Sequence, residues 1–407
     1  MTGPPTPVSG RDPLASRGGT PVRDRWLPVA APWIGEREKQ LVLETLDSGW
    51  ITTGPKAHEF GRRIAELAGA RHGLAVSSCT GALHLALAGL GVGPGDEVIT
   101  SPYTFAASVN VIEHVGARPV LADVEPDTLC IDPRAIERAL TPRTRAILTV
   151  DYGGHPCDYD AVHALARPRG LPVVADAAHA LGAAWRERPV GSLATATAFS
   201  FYAIKNLSTG EGGAIVTDDD ALMDRMAMLS LHGMDRDAWK RYTSAGSWFY
   251  EVAAPGFKYN LSDILAALGL GQLERFADFQ RRRAAIVARY AEGFAGVSEV
   301  RLPRVRPGAT HAWHLYPIAL ELERLTCDRA QFIEELRAEN IGTTVNFIPI
   351  HFHPHFRDTL GLAPGSFPVA EDAYRRAITL PLFPRMSDGD VADVCAAVRK
   401  VVAHYRR

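Results

Sequence analysis

The sequence predicts an α/β fold in two parts: a parallel sheet covered by helices on both faces, then a smaller C-terminal domain. Three observations carry that expectation. Short apolar runs at residues 97–100, 119–123, 146–151 and 172–176 alternate with helical patterns at 80–90, 106–115 and 159–167. Strands spaced by helices in this way pair in parallel, with the crossovers covering the sheet. At 407 residues the chain exceeds one ordinary core. Finally, residues 262–294 read as one long helix that bridges to a second alternation of elements.

Taken in order, residues 1–25 are rich in Pro, Gly and Ser and read as a flexible arm with little to bury. The large domain is expected over 26–280. It opens with a helix from Glu36 that stops at Gly49. The helix at 80–90 is entered through Ser77-Ser78-Cys79. Asp123, Asp151 and Asp176 stand at strand ends, so one edge of the sheet is polar, and ligands of such sheets bind beyond that edge. Asp123 and Asp151 suit turns or caps. The small domain, 281–407, is expected to run strand 315–322, helix 328–339, strand 343–348, helix 369–377 and helix 389–404.

Composition narrows the function. The net charge is −2, without the basic block that tracks nucleic acid. No run approaches the length of a membrane span and the N-terminus has no signal pattern, so a cytoplasmic protein is expected. Five cysteines without CxxC spacing argue against a disulfide framework.

Lys205 is the strongest candidate for chemistry. It lies on an apolar, glycine-bounded strand, FSFYAIKNLSTGEGG, over residues 199–213. Burial favours the neutral amine, and a neutral amine forms a Schiff base with an aldehyde. The chain has six lysines against 38 arginines, an imbalance that base composition explains equally well. Asp176 ends the strand Val173-Val174-Ala175, 29 residues upstream. A carboxylate beside a pyridine nitrogen makes the ring an electron sink, although the same residue also suits a helix cap. Ser77 to Gly81 opens a helix with small hydroxyl residues, which serves either an ordinary N-cap or a phosphate. Ser200 would reach that phosphate or merely fill the strand. His179 packs near the cofactor or in the core. Asp before Lys in this order suggests pyridoxal phosphate chemistry.

Metal and dinucleotide sites fare less well. His351, His353 and His355 alternate as strand neighbours would, but Pro354 breaks the run and no carboxylate or Cys follows at ligand spacing. Gly91 to Gly95 precedes a strand and lacks the GxGxxG order, so it reads as a turn.

Thr80, Phe105, Asp176, Ser200, Lys205 and Asn260, in that order, reproduce the pattern of the DegT/StrS family of sugar aminotransferases. The motifs are SSCTGALHLAL, GDEVITSPYTFAAS, VVADAAHALGA, FSFYAIKNLSTGEGG, GFKYNLSD and HAWHLYPI, with VNFIPIHFHPHF and LPLFPRMS extending the match. The resemblance implies a fold-type I pyridoxal phosphate-dependent transferase with a mostly parallel mixed sheet. In its terms Lys205 holds pyridoxal 5'-phosphate and shuttles the proton, Asp176 pairs with the pyridine nitrogen, and Phe105 stacks on the ring. Thr80 and Ser200 bind the phosphate, Cys79 and His179 complete the cofactor shell, and His179 joins Lys205 and Asp176 in the catalytic set. Asn260 reaches the cofactor phosphate of a neighbouring subunit, which implies a homodimer with shared sites. Tyr202, His314 and His351 are expected to touch substrate.

Within that family the cycle takes an amino group from L-glutamate, through the pyridoxamine form, to a ketone. Cyclitol enzymes carry Gln where this chain has Tyr202, yet GGTPVR in the arm is similar to their N-terminal signature. Hexose C3 enzymes read PGKNLG around the lysine, and the Pro-Gly pair is missing here. AIKNLSTGEGG, HAWHLY and VNFIPIHFHP resemble the C4 enzymes best, so the expected acceptor is a nucleotide-linked 4-keto-deoxyhexose. Relatives that act as dehydratases replace the lysine by His, which this chain does not. A regulator would need a further module, and an oxidoreductase of the dinucleotide-binding type would need the missing glycine fingerprint.

Overall fold

The computed structural model describes residues 13–234 and 250–407. Helices α1 (Glu36–Asp47) and α2 (Pro55–Ala68) lead into β1 (His72–Val76), α3 (Cys79–Gly89), β2 (Glu97–Thr100), α4 (Ala107–His114) and β3 (Arg118–Leu121). Next come α5 (Pro133–Ala139), β4 (Thr144–Val150), α6 (Tyr159–Ala166) and β5 (Val173–Asp176). A small hairpin, β6 (Ala184–Trp185) and β7 (Arg188–Pro189), precedes β8 (Ala196–Ser200), β9 (Gly213–Thr217) and α7 (Asp220–Ser230). The seven-stranded sheet has the order β1-β9-β8-β5-β4-β2-β3. Every strand runs the same way except β9, which is antiparallel to both neighbours. The mostly parallel sheet expected from the βα alternation is present.

Helix α3 shows why sequence dictates position. Its TGALHLALAG run is apolar on all sides, and such a helix must be buried all round. It packs on β5, β8 and β9 between α4 and α7, with Leu83, Leu85 and Leu87 fully enclosed. The long helix α8 (Asp263–Gly293) joins two cores. Ala266, Leu270 and Phe276 belong to the core of the sheet, whereas Ile286 and Tyr290 belong to the C-terminal one.

The C-terminal part holds β10 (Val300–Arg301), β12 (Tyr316–Leu320), α9 (Arg329–Ala338), α10 (Pro354–Leu360), α11 (Pro368–Arg376), β13 (Ala377–Leu380) and α12 (Asp388–Tyr405). The strand β11 (Ala309–Thr310) pairs with β6 instead, and β10-β12-β13 form a separate antiparallel sheet.

Four expectations need correction. The arm is not flexible from residue 13 onward. Leu14 is fully buried in the C-terminal core, and the Ala15 and Val22 N–H groups donate to the Glu339 carboxylate at 3.0 and 2.8 Å. Lys205 lies not on a strand but in the loop after β8, where its N–H closes a turn on the Tyr202 carbonyl at 2.8 Å. Residues 343–348 form no strand; Thr344 bridges Thr379 and the chain then leaves the sheet for Pro349, which has no N–H to donate. The third strand of that sheet is β13, directly after α11. The HFHPHF histidines are not strand neighbours either. Pro354 starts α10, a position its fixed φ favours, and the rings of His351 and His355 go to different partners. His351 is buried against Glu371 at 2.9 Å while the exposed His355 meets Glu113 at 2.7 Å.

Candidate active site

A cavity of about 600 Å³ opens where β4, β5 and β8 end, the edge at which open α/β sheets place ligands. The N-terminus of α3 forms one wall and Val29, Ala30, Thr344, Asn346, Phe347, Thr379 and Leu382 form another. Neither Asp123 nor Asp151 reaches it. The Asp123 carboxylate accepts from Val369 and Ala370 N–H at 3.0 Å each, capping α11. Asp151 accepts from Cys157 N–H and Tyr159 O–H at 2.8 Å each.

Asp176 and Lys205 both line the cavity. Asp176 is delivered by the last residue of β5 and is buried. Its Oδ2 accepts from Ser108 Oγ at 2.6 Å and its Oδ1 from Ala178 N–H at 3.1 Å. Burial pushes this carboxyl up, while the Ser108 hydroxyl, the Ala178 amide and the Lys205 amine pull it back. Burial likewise brings the Lys205 ammonium down to about 8, against the opposing pull of Cys79 and Asp176. The Cys79 thiol is pushed well up by burial and by Asp176, so it stands there as a neutral group.

At the start of α3, Ser78 is an ordinary N-cap whose Oγ accepts from Gly81 N–H at 3.0 Å. That leaves the first-turn N–H groups of Cys79 and Thr80, which have no carbonyl behind them in the helix, beside the cavity. The glycines of GEGG explain how β9 comes so near. A Cβ on Gly213 would lie 2.4 Å from Ser78 C and 2.5 Å from Cys79 N, so no other residue fits. Ser200 reaches the same cavity from the end of β8. Phe105 lines it and is 64% exposed.

His179 and His314 lie against each other with ring centroids 4.4 Å apart and 33° between planes. Burial, with Lys205 nearby, holds both well below the usual imidazole range, so both are neutral. Tyr202 lies on the cavity rim, half exposed. The structure thus brings together Cys79, Thr80, Phe105, Asp176, His179, Ser200, Tyr202, Lys205 and His314. It does not bring His351 or Asn260 to this cavity. Asn260 Nδ2 donates to Thr53 Oγ1 at 2.5 Å, and Asn260 Oδ1 accepts from Lys258 at 2.6 Å. The sequence also offers the loop over 235–255 as a source of contacts to a nucleotide, and residues 235–249 of it lie outside the described residues. Sequence reasoning missed Ser108, whose only signal was a serine inside an apolar helix, together with Thr344, Asn346 and Thr379.

Residues 32–399 match the DegT/DnrJ/EryC1/StrS aminotransferase family. The chain belongs to that family. It is 50% identical over 381 residues to the spore coat polysaccharide biosynthesis protein SpsC of Bacillus subtilis, covering 93% of this chain and 98% of that one. Among solved structures, Spr1654 of Streptococcus pneumoniae in its pyridoxamine phosphate form superposes with a TM-score of 0.87 at 35% identity, over 92% of this chain and 98% of that one. Its pyridoxal phosphate form gives 0.85. DesI, solved in the presence of its TDP-sugar product, gives 0.86 at 32% identity over 96% of both chains. The protein is therefore a pyridoxal phosphate-dependent aminotransferase of fold type I. The site fits the cofactor on its own terms: a buried carboxylate, an amine near neutrality, free helix N–H groups and a bare aromatic face share one cavity. Among the described residues no helix is long and apolar enough to cross a membrane, and no three His, Cys, Asp or Glu side chains cluster to hold a metal.

Proposed function

We propose that this DegT/DnrJ/EryC1/StrS aminotransferase moves the amino group of L-glutamate to the C4 ketone of a dTDP- or UDP-linked keto-deoxyhexose. The observation that carries a sugar is the character of the cavity wall apart from Asp176 and Lys205 themselves. Tyr202, His179, His314, Thr344, Asn346 and Thr379 line it, neutral groups that suit hydroxyls rather than ionic ligands. The TDP-sugar product of DesI and the polysaccharide role in the name of SpsC support the same class. The C4 position rests on the AIKNLSTGEGG and VNFIPIHFHP motifs. GGTPVR favours a cyclitol instead, but here those residues serve docking: Thr20 O accepts from Lys400, and Arg23 pairs with Asp390 and Asp393.

When bound, pyridoxal phosphate supplies the carbonyl that captures an amine and the ring that accepts electrons from the bond being broken. The chain's own residues do the rest. Lys205 Nζ holds the cofactor and, once displaced, is the base that lifts a proton and returns it. An amine titrating near 8 can do both at neutral pH. The Asp176 carboxylate, anchored by Ser108 and Ala178, would pair with the ring nitrogen and keep a proton there. Cys79 and Thr80 N–H groups, with Ser200, would hold the phosphate, and Phe105 would pack against the ring. Asn260, turned away from this cavity beside Lys258, serves the phosphate of a second subunit in a homodimer.

The test is to convert the purified enzyme to its pyridoxamine form and offer it nucleotide 4-keto-sugars, 3-keto-sugars and cyclitol ketones. Return of the long-wavelength cofactor absorbance with the 4-keto-sugars alone supports the proposal. Return with a cyclitol ketone and none of the sugars would overturn it.

A further inference from the structure

Two hydrogen bonds fix the protons of the imidazole pair. Gly153 N–H donates to His179 Nδ1 at 3.2 Å. A backbone amide only donates, so that Nδ1 is bare, and neutral His179 carries its proton on Nε2. His314 is set the other way. Its Nδ1 lies 3.1 Å from Asn206 Oδ1. The Asn206 amide cannot be reversed, because its Nδ2 is 2.7 Å from the Ala312 carbonyl, which only accepts. The same carbonyl accepts from Gln280 Nε2 at 3.2 Å, which turns Gln280 Oε1 toward Asn206 Nδ2, also at 3.2 Å. Oδ1 of Asn206 is therefore an acceptor, and His314 Nδ1 holds the proton. Its Nε2 is a bare lone pair.

Both rings line the cavity, and neither Nε2 is sealed in the interior without a partner. The pair thus offers one donor, on His179, and one acceptor, on His314. We propose that His314 Nε2 accepts a hydrogen bond from a hydroxyl of the keto-sugar, and that Asn206 is the positioning residue that keeps it an acceptor. The hydroxyl rests on the sugar reading above; the tautomer does not. Glutamate has no hydroxyl to give, and its one donor, the ammonium, is the group that reacts at the cofactor, so this contact belongs to the second half-reaction. The charged and titratable groups around His314 are His179, Lys205, Arg283 and His311, and none supplies a negative charge that would hold an imidazolium.

The test has a spectroscopic arm and a kinetic arm. Holoenzyme labelled with nitrogen-15 at histidine is expected to show His314 protonated on Nδ1 and His179 on Nε2. A His314 protonated on Nε2, or doubly protonated near neutral pH, would overturn the assignment. In single turnovers, Asn206→Leu is expected to weaken keto-sugar binding about tenfold while glutamate changes by less than about twofold, the scale of one lost hydrogen bond. Equal loss in both half-reactions would make Asn206 merely structural. Asn206→Asp guards against misfolding of the leucine variant. Its carboxylate still accepts from Nδ1 but favours the doubly protonated ring, so the sugar step should gain an acid limb absent from the wild type. A profile without that limb counts against the proposal. A wild-type enzyme that accepts no keto-sugar would remove the sugar reading and the hydroxyl with it, leaving the tautomer to stand or fall on the spectra.

Discussion

Ser108 Oγ donates to Asp176 Oδ2 at 2.6 Å, although the two residues lie on different elements 68 positions apart. Both are buried, and Ser108 sits in the second position of α4, held also by Thr104 at 2.7 Å. The bond stabilises the charged carboxylate that burial disfavours. Ser108→Ala should therefore raise the Asp176 pKa further and weaken its hold on the ring nitrogen. A hydrogen bond to a charged group is worth about 1.5–3 kcal/mol, so the glutamate half-reaction should slow by roughly ten- to a hundredfold. Single-turnover absorbance changes measure this. An unchanged rate would mean that Asp176 needs no such support.

Lys205 gives a pH prediction. Its amine must be neutral to capture the cofactor aldehyde, and burial lowers it to about 8. The lowered value means that the neutral form grows as pH rises through about 8, well before an exposed lysine would release its proton. The rate of pyridoxal phosphate capture by cofactor-free protein should rise through that range and then level off. Capture that keeps accelerating beyond the ordinary lysine range would contradict it. Lys205→Ala should bind cofactor without forming an adduct that borohydride can trap, and a trapped adduct in that variant would place the covalent bond elsewhere.

What the sequence disclosed and what it hid follow one physical divide. Lys205, Asp176 and Thr80 were legible because each sits in a local motif whose chemistry is carried by a few consecutive residues. The alternation of strands and helices was legible for the same reason, since periodicity is local. Ser108 with Asp176, and Asn206 with His314, join residues 68 and 108 positions apart, and nothing local marks them. Residues 343–348 read as a strand because VNFI is mostly apolar and β-branched at both ends. The same pattern also suits the extended wall that Asn346 and Phe347 give the cavity. The arm misled in the opposite direction. Its composition is polar, but one buried leucine, the Glu339 carboxylate and the Arg23 ion pairs dock it.

That docking is itself testable. Lys400 Nζ lies 2.9 Å from Glu339 Oε1, and both side chains are buried. Glu339 also receives the Ala15 and Val22 amides, while Lys400 donates to the Thr20 carbonyl at 2.8 Å. Removing one member strands the other charge, at a cost of about 3–5 kcal/mol. Glu339→Leu should lower the unfolding midpoint and expose Arg17 and Arg23 to trypsin. The double variant Glu339→Leu/Lys400→Met should recover part of the stability but not the protection, because the backbone amides still lack their acceptor. If the single variant resists trypsin as the wild type does, the segment is held by its other contacts, among them Leu14, the Thr20 carbonyl on Lys400 and the Arg23 ion pairs.

Asn260 provides the test of shared sites. Within its own chain it bonds Thr53 and Lys258 and stays out of the cavity. If it serves a second subunit, each working site needs Lys205 from one chain and Asn260 from the other. Asn260→Ala and Lys205→Ala proteins should each be impaired alone. In a hybrid dimer one site would then hold both intact residues and the other neither. Random exchange of an equal mixture makes about half of the dimers hybrid, each with one site of two, so roughly a quarter of wild-type activity should return. If both residues acted within one chain, no hybrid site would gain anything, and the mixture would show only the average of its parents. Recovery above that average separates the two arrangements.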